Sequence, residues 1–137
     1  MLSLELALAL RAAGVEWRPA PGDAFAVPDR DLDGQVFVLS DMVVQTVQPP
    51  EGPTILAFNG TTEWALDSLE AHEAVWLPRE DQLRALLGEA FVTLERVPGP
   101  PEAYAVSLDG PAGGSRHVDL TPEAAYARAV LASFTVE

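Results

Sequence analysis

The sequence predicts an α+β fold, mainly antiparallel sheet with about three helices: one N-terminal, one central and one C-terminal. Two observations carry that prediction. Helix-capping residues bracket three segments rich in Ala and Leu, and between them short apolar runs recur, separated by Pro and Gly, as in an antiparallel sheet. The length of 137 residues suits one core, so residues 1–137 are read as a single domain.

The first helix is expected from Ser3, an N-cap residue type, to Gly14, a C′ residue type, with Arg11 in the last turn. Leucines at 4, 6, 8 and 10 alternate as a strand would, but Ala/Leu propensity and the two caps favour helix. Strands are expected near Ala24–Val27, Val36–Leu39, Val43–Val47 and Thr54–Phe58. The three prolines within residues 49–53 place a turn between the last two. Asn59-Gly60 is a strong two-residue hairpin signal, so Thr61–Asp67 is expected to return as a strand, with a helix from Thr62 as the alternative. After the run Ala74–Leu77, Pro78 is expected to open the central helix, which ends at Leu87 before Gly88. A meander follows: Phe91–Val97, Tyr104–Leu108 and Arg116–Leu120. The last helix starts from Thr121 as N-cap with Pro122 at the first helical position, and Ala125, Ala129 and Ala132 suit close packing on a sheet.

Charge and composition exclude several chemistries. The net charge is −13, and the positive side is eight arginines with no lysine. Without lysine there is no phosphate-loop, Schiff-base or Ser-Lys chemistry. Without cysteine there is no thiol catalysis, disulfide or thiolate metal site. An acidic surface repels phosphate backbones and anionic headgroups, so neither nucleic acid nor membrane is an expected partner. No apolar stretch approaches the roughly 20 residues of a bilayer span, and no basic region precedes the first apolar segment, so the chain is read as cytoplasmic.

Three patterns bear on chemistry. Asp29, Asp31 and Asp33, followed by Gly34, match the opening of a calcium loop, in which alternate carboxylates converge on one ion. The closing position falls on Ser40 rather than a carboxylate, and a solvated turn is the competing reading, which we prefer. His72 and His117 each lie beside carboxylates and are general-base or metal-ligand types, although such pairs are common on surfaces. A Ser/His/Asp arrangement is open to Ser115 and other serines, but no Gly-x-Ser-x-Gly elbow is present. Trp17, Trp64 and Trp76 are core or interface types, and Trp17, beside Arg18 and Pro19, is the candidate interaction anchor.

The strings Val36-Phe37-Val38-Leu39-Ser40, Phe58-Asn59-Gly60-Thr61-Thr62-Glu63-Trp64-Ala65-Leu66-Asp67 and Trp76-Leu77-Pro78-Arg79-Glu80-Asp81-Gln82-Leu83, with the Ala-rich final helix around Tyr126, resemble a family of small bacterial proteins carrying a pilus-assembly label. The resemblance spans nearly the whole chain and is structural in character, so it carries over no functional residue. Pilus-assembly ATPases of that name are several times longer and hold a phosphate-loop lysine, which this sequence lacks.

These features favour a non-enzymatic protein-interaction domain, adaptor- or inhibitor-like, whose partner presents a basic surface. The alternative is a calcium-binding protein or carboxylate-dependent small enzyme built on the Asp29–Asp33 loop. A homodimer formed through an edge strand is a third reading.

Overall fold

Ser3 ends the extended approach to helix α1, Leu4–Ala12, in the computed structural model of the chain. Its Oγ accepts the Leu6 backbone N–H at 3.3 Å, and Gly14 takes φ +105° just past the helix end. Only glycine reaches that left-handed conformation without a Cβ penalty. The helix therefore stops where its caps predict. The structure describes residues 1–28, 36–39, 45–47, 50–51, 55–57, 68–70, 73–111 and 113–135. Among the described residues the fold is α+β, with three α-helices and antiparallel three-stranded sheets. The chain divides into two compact units, Trp17–Leu77 and Met1–Glu16 with Pro78–Glu137.

Within Trp17–Leu77, strands β1 (Ala24–Ala26) and β2 (Phe37–Val38) lie where apolar runs predict them. Strands β3 (Gln45–Val47), β4 (Ile55–Ala57), β5 (Ser68–Glu70) and β6 (Val75–Leu77) follow. One sheet has the order β2-β1-β6. Its register sets Phe25 opposite both Phe37 and Trp76, so three aromatic residues form a row on one face. The Phe25 and Phe37 ring centroids are 5.5 Å apart, and Trp17 approaches Phe25 at 5.6 Å. Phe25, Val27 and Val75 are almost fully buried.

The other sheet of this unit has the order β3-β4-β5 and corrects the expected hairpin. A two-residue turn at Asn59-Gly60 would set Ala57 opposite Thr62, but Ala57 pairs with Ser68, and Ile55 with Glu70. Residues 58–67 themselves lie outside the described residues.

In the second unit, α2 covers Glu80–Leu87 and begins two residues later than Pro78. The Gln82 side chain reaches back to accept the Arg79 backbone N–H at 2.9 Å, which fixes Arg79 as the N-cap. Leu83 and Leu87 are buried, and Gly88, at φ +58°, ends the helix. Strands β7 (Phe91–Val97), β8 (Ala103–Gly110) and β9 (Gly113–Asp119) then form the expected meander, with β8 and β9 longer than predicted. In the β7–β8 turn a Cβ on Gly99 would collide with the Pro101 carbonyl, so the turn requires glycine. Helix α3, Pro122–Thr135, starts from Thr121, whose Oγ1 accepts the Ala124 N–H at 3.1 Å. It packs on β8, β9, α1 and α2, and Ala125 and Ala129 are wholly buried.

Candidate functional site

The strand register sorts the β7-β8-β9 sheet into two faces. Directly opposed residues share a face, so Phe91, Leu108 and Ser115 lie together, as do Leu94, Val106 and His117, and Arg96, Tyr104 and Asp119. This face meets the helices: Phe91 lies 5.7 Å from the ring of Tyr126 on α3, and the Arg84 guanidinium of α2 sits 4.7 Å over Phe91. Arg128 of α3 pairs with Asp119. Val106 is fully buried here.

The opposite face carries Thr93, Glu95 and Val97 on β7, Ala103, Ala105 and Ser107 on β8, and Arg116 and Val118 on β9. Val118 is 43% exposed, and Leu120, just beyond the end of β9, is 60% exposed. Ala105, on β8 between the other two strands, is fully buried. Arg116 spans the sheet to Glu95, donating from Nε and Nη2 to the same Oε1 at 3.2 and 3.0 Å. Oε2 of Glu95 accepts nothing from the described residues, and both side chains are about half exposed. The result is an open sheet face with an apolar end and one carboxylate oxygen available to a further cation.

The arginines are largely spent within the unit. Arg79 pairs with Asp81 at 3.0 Å, Arg96 with Glu102, Arg116 with Glu95 and Arg128 with Asp119, while Arg84 lies on Phe91. The Arg79 bond lowers the Asp81 carboxyl below its ordinary range. The Arg96 and Tyr104 bonds do the same for Glu102, and the bond to Glu102 in turn raises the Tyr104 hydroxyl. By sequence, the unit Trp17–Leu77 holds ten acidic residues against two arginines, so most of the acid excess belongs to it.

Of the residues singled out from sequence, Asp29, Asp31, Asp33, His72 and Trp64 lie outside the described residues. Trp17 is half-buried: its indole N–H donates to Asp23 Oδ2 at 2.9 Å and its ring lies against Phe25. Ser115 and His117 are brought together, with Oγ 3.0 Å from Nε2, and burial pushes the His117 pKa down. Asp119, two residues further along the same face, is engaged by Arg128 rather than by the imidazole. Among the described residues, no three metal-ligating side chains converge, and no helix is long and apolar enough to cross a membrane. The uncovered face was missed from sequence because Arg116-His117-Val118-Asp119 has no polar-apolar alternation, and its one apolar residue, Val118, lies on the uncovered side.

Comparison with known proteins finds no match to a family model, a curated protein or a solved structure. The family resemblance rests on its quoted strings alone.

Proposed function

We propose that the chain is a cytoplasmic, non-enzymatic interaction module, adaptor- or inhibitor-like, whose partner is a protein with a basic surface, and that it belongs with the small bacterial proteins it resembles. The observation that carries this reading is the fate of the cations. Four arginines are neutralised by carboxylates within one unit and a fifth lies on an aromatic ring, while the net charge is −13. The field outside the molecule is therefore negative, which attracts cationic protein surfaces and speeds their encounter.

The test is capture of binding proteins from the native host, followed by association kinetics of each purified partner against ionic strength. A partner with a net positive surface, whose association rate falls steeply between 50 and 500 mM salt, is expected on the order of magnitude of electrostatic steering. A neutral or acidic partner, or a rate indifferent to salt, overturns the reading.

A further inference from the structure

We draw no further inference here: the strongest candidate, the Ser115–His117 side-chain pair on β9 with Oγ 3.0 Å from Nε2, carries no reaction, because residues two apart on a strand share a face and meet by strand geometry alone, and Asp119, the carboxylate in line to orient the imidazole, is engaged by Arg128.

Discussion

Trp17 and Asp23 close a small loop against the aromatic row of β1. The indole N–H and the Ala20 backbone N–H both donate to Asp23 Oδ2, at 2.9 and 3.1 Å, and Asp23 is only 2% exposed. Its own N–H returns to the Ala20 carbonyl, and its carbonyl accepts the Leu39 N–H at 2.9 Å. A buried carboxylate with these roles is a structural fastener. Asp23→Ala is expected to destabilise the protein by about 2–3 kcal/mol in denaturant unfolding followed by circular dichroism. Asp23→Asn, which keeps an acceptor oxygen, should cost less, and equal losses for the two would refute the fastener role.

Close packing of α3 depends on its alanines. Ala125 and Ala129 have no exposed surface, so Ala129→Leu forces volume into a filled space and is expected to cost about 1–3 kcal/mol. Leu83→Ala, on α2, leaves a cavity and should cost about 2–5 kcal/mol. Both are read from the denaturant midpoint, and an Ala129→Leu variant as stable as wild type would show that the helix is loosely seated.

The Asp119–Arg128 pair joins β9 to α3 and gives a pH signature. Burial pushes the Asp119 carboxyl up, but the bonds from Arg128 and from the Leu120 N–H outweigh it, and the net pKa lies below the ordinary value of 3.8. A lowered folded pKa means the pair's contribution is present above that ordinary value and is lost as pH falls through the folded one. Wild type is therefore expected to exceed Asp119→Asn in thermal midpoint at pH 7, with the gap closing in acid. A gap that widened in acid would contradict the assignment.

Side chains on the open face carry little of the folding energy. Leu120→Ser is expected to shift stability by less than about 0.5 kcal/mol, because Leu120 already stands in water. A much larger loss would mean that Leu120 packs against the protein itself.

Calcium separates the two functional readings of the sequence. On the interaction reading, millimolar calcium leaves the thermal midpoint unchanged in wild type and in Asp31→Ala alike. A rise of several degrees that Asp31→Ala abolishes would make Asp29, Asp31 and Asp33 a metal site instead.

Helix ends were the most legible part of the sequence because capping is local chemistry. Ser3, Gly14, Thr121 and Pro122 act within one turn of where they stand, and α1 and α3 start at the predicted places. The start of α2 was misplaced because Pro78 outweighed the subtler return of Gln82 to the Arg79 N–H. Strand partnership was harder to read. Asn59-Gly60 is a strong local signal, yet Ala57 pairs with Ser68. Strands of two or three residues carry too little pattern to declare their neighbours, which is why β1 lying between β2 and the distant β6 was not legible. The open face was obscured for another reason: Glu95 and Arg116 look like ordinary surface charges until the register places them across β8 from one another.

The order of the two units along the chain bears on synthesis. Among the described residues, every strand pairing of Trp17–Leu77 is internal to that segment, so these strands have their partners once Leu77 has emerged from the ribosome. Helix α1, made before that segment, packs against α3, made after it. Until α3 has been synthesised, the apolar side chains of Leu2 and Leu10, buried in the folded chain, lack their full cover, and the nascent chain holds α1 in waiting while a later-made segment matures.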